Sequence, residues 1–307
     1  MVGGHAAVPS DAMAVRAPSA QPVHRIARDD QSCPNCDSPH VASFCAECGE
    51  RQPSRADYST RHLVTEAVHE LANVDGRLWR SVVALLSRPG FLTAEYFAGR
   101  RGRYMRPFSL FVLLNVAFFF VQPHTGLLRY TYAMYTGSSH EKAAMALVKQ
   151  HDLGLSGLTF EQRMNDELRD EKKSLLLVAV PLFALALSAL YARGGRVYVE
   201  HLVFSVHAYA FILFFFTAFS TLGWAILHLA YQFLPVTRPV DRFLGTEEGI
   251  LLTLTAGVVP YLTIALRRFY GSPTGPALAR ALVLFVAFQF LILVFRNVLF
   301  HSALLFV

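Results

Sequence analysis

The sequence has few charged residues for its length. Only 16% of its 307 residues are Asp, Glu, Lys or Arg, whereas soluble domains carry about a quarter. Tryptophan occurs twice and phenylalanine 25 times, and hydrophobic residues make up 53% of the chain, much of it in long blocks. This composition argues against a soluble protein and predicts a membrane protein. The net charge of +6 is modest and needs no nucleic-acid partner.

The sequence also lacks the motifs of common enzymes. It contains no nucleophile elbow, phosphate-binding loop, HExxH pattern or paired acidic metal motif. The first 28 residues lack the apolar run that a signal peptide requires. Residues 1–31, rich in Ala and Pro, are predicted to be a disordered tail. We therefore expect a non-enzymatic protein whose N-terminus stays in the cytoplasm.

Cysteine is also scarce. All four cysteines lie in a predicted zinc ribbon at residues 32–52. Cys33 and Cys36 form one CxxC pair, and eight residues separate it from a second pair, Cys45 and Cys48. Two such turns supply four thiolates, which is the ligand set of tetrahedral zinc. A four-sulfur site leaves no open coordination position, so we expect structural Zn²⁺ and no catalysis at the metal.

Other uses of the four cysteines fit less well. Two disulfides need an oxidising compartment, and a redox CxxC usually opens a helix of a βαβ unit, which the sequence does not show. An iron–sulfur cluster or a rubredoxin-like iron site stays open. The surrounding charges are of both signs, which makes nucleic-acid binding unconvincing. The segment is predicted to be a protein-contact or spacer module folded by its metal, with Val41 and Phe44 packed beside it.

Residues 53–103 are predicted to form amphipathic helices on the inner membrane face. Apolar residues recur at helical spacing over 58–74, 78–86 and 91–97, in segments too short to cross a bilayer. A basic cluster follows, at the level of anionic headgroups. This membrane-surface cluster consists of Arg100, Arg101, Arg103 and Arg106. The alternative is that the helices pack on the membrane-spanning bundle.

Residues 104–307 are predicted to be a transmembrane domain, which makes the fold class an all-α polytopic membrane protein with about five spans. Long apolar runs mark these spans near residues 104–121, 174–191, 202–234, 250–266 and 277–305. Arginines cluster before the first span, between the second and third, and between the fourth and fifth. The positive-inside rule puts these three regions and the N-terminus in the cytoplasm.

Three ionisable residues near the start of the third span form the candidate intramembrane polar site. Glu200 and His207 are two helical turns apart and share one face, whereas His201 points away from both. Ionisable groups at membrane depth suggest function, here a proton relay or a metal site. The alternative is structural: Glu200 pairs with an arginine such as Arg103 or Arg196, and His207 bonds a neighbouring helix.

Several short motifs follow one another in order along the chain. After the two CxxC pairs come Asp75-Gly76-Arg77, Pro89-Gly90, Glu95-Tyr96, Gly99-Arg100-Arg101 and Arg103-Tyr104, and later Tyr198-Val199-Glu200-His201. Together these motifs resemble the bacterial membrane-protein family of unknown function DUF3667, over most of the chain between Cys33 and Tyr270. The resemblance implies a bacterial inner-membrane protein with a cytoplasmic zinc ribbon, and it implies no activity.

Three functions are compatible with these patterns. The first is a non-enzymatic inner-membrane protein, surrounded by lipid bilayer and anionic headgroups, whose zinc ribbon contacts a cytoplasmic protein partner. The second is a small transporter or channel that uses Glu200 and His207. The third is a membrane enzyme acting on lipid, which needs more convergent polar groups than the sequence shows. We expect the first.

Overall fold

The computed structural model describes residues 33, 35, 36, 38, 44–48, 76–125, 162, 163, 165, 172–233 and 247–306. The predicted tail at residues 1–31, the predicted helix at 58–74 and Val41 lie outside the described residues. Within the described ranges the chain is mostly helical and has no β-strand. This confirms the prediction of an all-α protein.

The helices follow one another along the chain with short turns between several of them. They are α1 (Gly76–Ser87), α2 (Phe91–Phe97), α3 (Pro107–Thr125), α4 (Lys172–Leu190), α5 (Tyr198–Phe233), α6 (Glu247–Tyr270) and α7 (Thr274–Phe306). Proline stands at the first position of α3, where its fixed φ suits a helix start and its missing N–H costs no hydrogen bond. The last five helices overlap the five apolar stretches that the sequence predicts as spans, although their ends differ.

Three of the described helices are long and apolar enough to cross a bilayer. The stretches concerned are Tyr198–Gly223 in α5, Gly249–Tyr270 in α6 and Thr274–Ser302 in α7. α3 and α4 contain shorter apolar stretches, Pro107–Val121 and Val178–Leu190. Each of these two helices has 19 residues. At about 1.5 Å per residue that length is about 28 Å, close to the roughly 30 Å hydrocarbon core of a bilayer.

α5 is the central helix of the bundle. It contacts α3, α4 and α6, while α7 packs against both α4 and α6. Every residue of α5 from Val203 to Leu213 is buried. Large apolar side chains elsewhere on the bundle are exposed, including Phe120 of α3, Leu229 of α5 and Phe290 of α7. The helices therefore bury part of their length in protein and present the rest of their apolar surface outward, as a membrane protein does.

The arginine-bearing turns lie at one end of the bundle, which we call the arginine end. α5 and α7 begin there, and α4 and α6 end there. Arg196, just before α5, donates to the carbonyl of Phe269 near the end of α6 at 2.9 Å. Tyr191, just after α4, shares a 3.1 Å hydrogen bond with Ser272, just before α7. Four helix termini are thus fixed to one another at this end.

The short helix α2 closes the arginine end. Residues 92–97 are all buried, and the helix contacts both α5 and α6. Arg268 of α6 donates to the carbonyl of Pro89 at 2.9 Å. The next residue, Gly90, has a φ of +76°, and a Cβ there would lie 2.7 Å from the carbonyl oxygen of Ala265. α2 therefore packs on the bundle, which is the alternative that the sequence left open for this segment.

The helix α1 buries one face and exposes the other. Ser81, Val82, Ala84 and Leu85 are buried, and the hydroxyl of Ser81 accepts a hydrogen bond from the Met105 backbone N–H at 2.8 Å. This bond ties α1 to the segment that leads into α3. Trp79 is 72% exposed, and Val83 and Leu86 are exposed on the same side.

Candidate functional site

The four cysteines converge on one point, as their sequence spacing predicts. The backbone N–H of Cys33 donates to the carbonyl of Ser38 at 2.7 Å, which closes the first turn. The sulfurs of Cys33 and Cys48 are 3.6 Å apart, and those of Cys36 and Cys45 are 3.5 Å apart. All four sulfurs lie within 4.8 Å of one another. Both sequence pairs thus contribute to a single cluster.

This cluster has the dimensions of a metal site. Four sulfurs that each lie about 2.3 Å from a tetrahedral zinc ion are about 3.8 Å from one another. The separations of 3.6 and 3.5 Å are slightly below that value, and all the others are at most 4.8 Å, so only small adjustments would bring the four sulfurs to the spacing of zinc ligands. The four cysteines together can therefore hold a metal ion through sulfur alone. A zinc ion there would supply the fixed point around which this short segment folds.

The two cysteines of the first pair differ in acidity. Burial raises the pKa of Cys33 to about 12. A hydrogen bond with the Ser38 hydroxyl, 3.1 Å from the sulfur, lowers the pKa of Cys36 to about 6. Cys36 is therefore the more easily deprotonated cysteine of the first pair.

Phe44 does not pack beside the sulfurs as the sequence suggests. Its side chain is 60% exposed, while the adjacent Cys45 is buried. At this point of the chain the side chain that turns inward is that of Cys45, whose sulfur lies 3.5 Å from that of Cys36. The described part of this segment thus carries an aromatic side chain on its outside.

Glu200, the first residue of the predicted polar site, belongs to a buried ion pair. Its carboxylate is fully buried and accepts a 2.9 Å hydrogen bond from Arg196, four residues earlier. Its second oxygen accepts the Val197 backbone N–H at 3.0 Å. The Arg196 guanidinium also lies over the ring of Phe269, 4.4 Å from its centroid. The pairing of Glu200 with Arg196 is the structural alternative stated from the sequence.

His201 is part of an aromatic stack that joins α4, α5 and α6. Its Nδ1 shares a 2.7 Å hydrogen bond with the Tyr270 hydroxyl. The Tyr270 ring stacks on Tyr191 at 3.9 Å between centroids, and Arg280 of α7 lies over the other ring of this pair, that of Tyr191, at 4.5 Å. Stacked rings and a cation over an aromatic face each stabilise such a junction by roughly 1 kcal/mol. His201 therefore fixes helix ends together.

His207 has a different set of neighbours from Glu200. Its Nδ1 shares a 3.0 Å hydrogen bond with the Thr93 hydroxyl of α2. Seven residues of helix separate His207 from Glu200 by about 10 Å along the axis. The predicted site is therefore divided between two groups of contacts, one around Arg196 and one around Thr93. The side chains of Glu200 and His207 are each engaged with a separate partner.

Glu95 was not predicted as a site residue, and the structure places it in the lining of the same small cleft as His207. Its side chain is only 6% exposed, and it accepts two hydrogen bonds from Arg100, of which the one from Nε is 2.6 Å long. The cleft that Glu95 and His207 line has a volume of about 10 Å³, which is about the space that one water molecule needs. The available signal was a carboxylate that is the one charged side chain of this seven-residue helix.

The four residues of the basic cluster do not all line this cleft. Arg100, Arg101 and Arg106 line it together with Tyr104, whereas the side chain of Arg103 is exposed and lies outside the lining. Arg101 is held over the Tyr96 ring at 4.3 Å from the centroid. Three of the four predicted basic residues thus surround one concavity.

One protein-family model matches part of the chain. The family described as "Protein of unknown function (DUF3667)" has a sequence model that matches residues 75–119. No curated protein and no solved structure matches the chain. The matched residues contain α1, α2, the basic cluster and most of α3. The predicted resemblance to the DUF3667 family of unknown function is therefore confirmed over these residues.

Proposed function

We propose that this chain is a non-enzymatic protein of the bacterial inner membrane, with a structural zinc module that contacts a cytoplasmic protein. The observation that carries the proposal is the convergence of four cysteine sulfurs within 4.8 Å of one another. A zinc ion with four thiolate ligands has no open position for a water molecule or a substrate. The module would therefore act by binding a partner with its surface and not by chemistry at the metal.

Phe44 provides an apolar contact on that surface. Its ring is 60% exposed beside the buried Cys45. Aromatic side chains are enriched in protein–protein interfaces, where they contribute much of the binding free energy. A ring held on a short metal-bound loop is also presented with little loss of entropy when a partner binds. These properties support a protein contact centred on Phe44.

The arginine end supports a cytoplasmic position for the module. Arginines accumulate in the short turns of the cytoplasmic side in membrane proteins. Here they precede α3, occupy the turn between α4 and α5 and flank the turn between α6 and α7. No predicted span separates Cys48 from α1, so the module and the arginine end lie on the same side of the membrane.

The exposed face of α1 supports contact with the membrane surface at the same end. Trp79, Val83 and Leu86 follow one another at spacings of four and three residues, which is one helix face. Tryptophan is enriched at the boundary between hydrocarbon and water. Arg77 and Arg80 of the same helix are suited to anionic headgroups. We expect α1 to lie among the headgroups.

The partner contact can be tested by photo-crosslinking in living cells. A photoreactive amino acid replaces the exposed Glu47, and the adducts of the full-length protein are compared between variants. We expect a discrete adduct in the unmodified background and its loss in Phe44→Ala, with the zinc content unchanged. Ala46→Ser, a matched change at an exposed neighbour, should keep the adduct.

The outcomes separate a contact role from a folding role. An adduct that persists in both Phe44→Ala and Cys33→Ser would refute the proposed contact. A Phe44→Ala variant that loses its zinc would instead assign the ring to the folding of the module. Retained zinc together with a lost adduct is the result that the proposal requires.

A further inference from the structure

The helix α7 is less enclosed by the rest of the chain than the other two long spans. In its apolar stretch 22% of the residues are buried, against 61% in α5 and 50% in α6. Its main neighbours are α4 and α6. Most of the surface of α7 therefore faces outward, where it meets either lipid or another protein.

One row of outward residues on α7 has the spacing of a helix–helix contact. The row consists of Ala279, Leu282, Val286, Gln289 and Leu293, and we call it the α7 stripe. Its four apolar members are exposed, and Gln289 is partly exposed. Alternating steps of three and four residues place side chains along the contact line of two helices that cross at about 20°. The α7 stripe is therefore suited to a second helix, and it carries a polar residue among apolar ones.

The amide of Gln289 lies in the apolar middle of α7 without a hydrogen-bond partner. The nearest charged residues of this helix, Arg280 and Arg296, are about 14 and 10 Å away along the axis. The Gln289 oxygen accepts no hydrogen bond, and no other hydrogen bond within the described ranges reaches this side chain. The amide of Asn297, by contrast, donates to the Leu293 carbonyl of its own helix at 2.8 Å. An unpaired polar group in hydrocarbon costs free energy, so Gln289 calls for a partner from outside.

A second copy of the chain supplies an amide at the required depth. The arginine end gives every copy the same orientation in the membrane, so a given residue lies at the same depth in each. A two-fold axis along the membrane normal then brings the two Gln289 side chains opposite each other. A carboxamide both donates and accepts, and rotation about its last bond lets either atom face the other copy. Two copies can therefore satisfy each other's amides.

The apolar part of the α7 stripe fits the same contact. Leu282, Val286 and Leu293 are exposed and would pack against the same residues of the second copy. Lipid could cover these three side chains equally well, and it is the amide that favours protein. Beyond Leu293 the row continues to Arg296 and Phe300, and Phe300 is fully buried in its own chain. The two helices would therefore separate after Leu293, which keeps the two Arg296 side chains apart.

We propose that α7 is the interface of a parallel homodimer, in which the two α7 stripes pack together and the two Gln289 amides bond each other. A polar residue in such a contact also fixes the register, because only one alignment pairs the two amides. The interface lies within the membrane and does not involve the four-cysteine module. Its test is therefore independent of the proposed contact with a cytoplasmic protein.

The test is sedimentation equilibrium of the full-length protein in a density-matched non-ionic detergent, at several ratios of protein to detergent. We expect a reversible equilibrium between monomer and dimer in the unmodified protein. Gln289→Leu removes the amide and keeps an apolar side chain of similar size, so it should raise the dissociation constant of the dimer about tenfold. Gln289→Asn keeps an amide and should raise it less than Gln289→Leu does.

A matched pair of bulky substitutions locates the contact on α7. Val286→Trp places a large ring on the α7 stripe and should raise the dissociation constant at least about tenfold, because the two helices can no longer approach closely. Val294→Trp places the same ring at an exposed position about 100° around the helix from Leu293, and it should change the constant by less than about twofold. The unfolding temperature of each variant is measured in parallel. If Val286→Trp does not fold, Gln289→Leu gives the same comparison.

Either of two results would overturn the proposal. One is a monomer at every ratio of protein to detergent, which would mean that lipid or detergent alone covers α7. The other is a dimer with the same dissociation constant in the unmodified protein, Gln289→Leu and Val286→Trp, because the two copies would then meet at another surface.

Discussion

The four-cysteine module and the polar groups of the bundle differ in what their side-chain atoms face. In the module, four sulfurs point at one another and have the spacing of ligands around an ion. In the bundle, Glu200 faces Arg196, His201 faces Tyr270 and His207 faces Thr93. Ligand atoms that converge on a point call for a metal ion, whereas polar atoms paired with protein stabilise the fold.

The comparison teaches that burial and charge alone do not identify a functional group. Glu200 is more buried than Cys48, which is exposed. Buried ionisable residues in a membrane protein suggest function by default. The partners distinguish the two cases: the Glu200 carboxylate accepts a hydrogen bond from a guanidinium on one oxygen and from a backbone N–H on the other, so both oxygens are engaged by protein. The following predictions test that distinction, beginning with the largest effect.

Removal of the metal should have the largest effect and should be confined to the module. A strong zinc chelator is expected to unfold residues 33–48, because metal binding supplies on the order of 10 kcal/mol to the folding of such a segment. Limited proteolysis should then cleave within these residues. The thermal unfolding of the bundle should stay unchanged. A bundle that unfolds at a lower temperature after chelation would contradict the prediction that the stability of the bundle does not depend on the module.

Loss of the Glu200 carboxylate should strongly destabilise the bundle. In Glu200→Gln the partly buried Arg196 loses its ion pair with a fully buried carboxylate, and we expect the free energy of unfolding to fall by about 3–5 kcal/mol. The midpoint of thermal unfolding in detergent measures the change. Arg193→Gln, at an exposed position of the same turn, is the control and should have almost no effect. A Glu200→Gln variant with normal stability and altered ion flux in liposomes would favour the transporter hypothesis.

Crowding at Gly90 should have an intermediate effect. Gly90→Ala combines a positive φ with a contact to the Ala265 carbonyl, so we expect a loss of about 2–3 kcal/mol. Gly271→Ala is the matched control, because Gly271 has a φ of +68° and nothing within 4 Å of its Cβ position. It should lose only about 1 kcal/mol. Equal losses in the two variants would show that α2 does not press against α6.

Removal of one hydrogen bond from the aromatic stack should have the smallest effect. Tyr270→Phe keeps the ring over Tyr191 and deletes the hydroxyl that bonds His201. The expected loss is about 1 kcal/mol, measured by the same thermal unfolding. A loss larger than that of Gly90→Ala would mean that His201 does more than join helix ends.

The features that the sequence predicts well depend on residues that are close in the chain. The four cysteines lie within one short segment, so their spacing is enough to predict that the four sulfurs come together. The five long helices follow from continuous apolar runs. Arg196 and Glu200 are four residues apart in the sequence, a spacing at which oppositely charged side chains often form ion pairs.

The features that the sequence does not predict join distant segments. Thr93 and His207 are 114 residues apart in the chain, and only the packing of α2 on α5 brings them together. The same packing makes a cleft wall of Glu95, in a helix of seven residues that is too short to show an amphipathic period. Because the pattern of one segment does not identify its neighbours, the cleft emerges only from the structure.

The most direct test of the account is the metal content of the purified full-length protein, measured by plasma mass spectrometry. Three proteins are compared: the unmodified chain, Cys33→Ser and the double variant Glu200→Ala/His207→Ala. The account predicts one zinc per chain in the unmodified protein and in the double variant, and its loss in Cys33→Ser. A second metal that disappears only in the double variant would contradict it, because the bundle would then hold a metal site of its own.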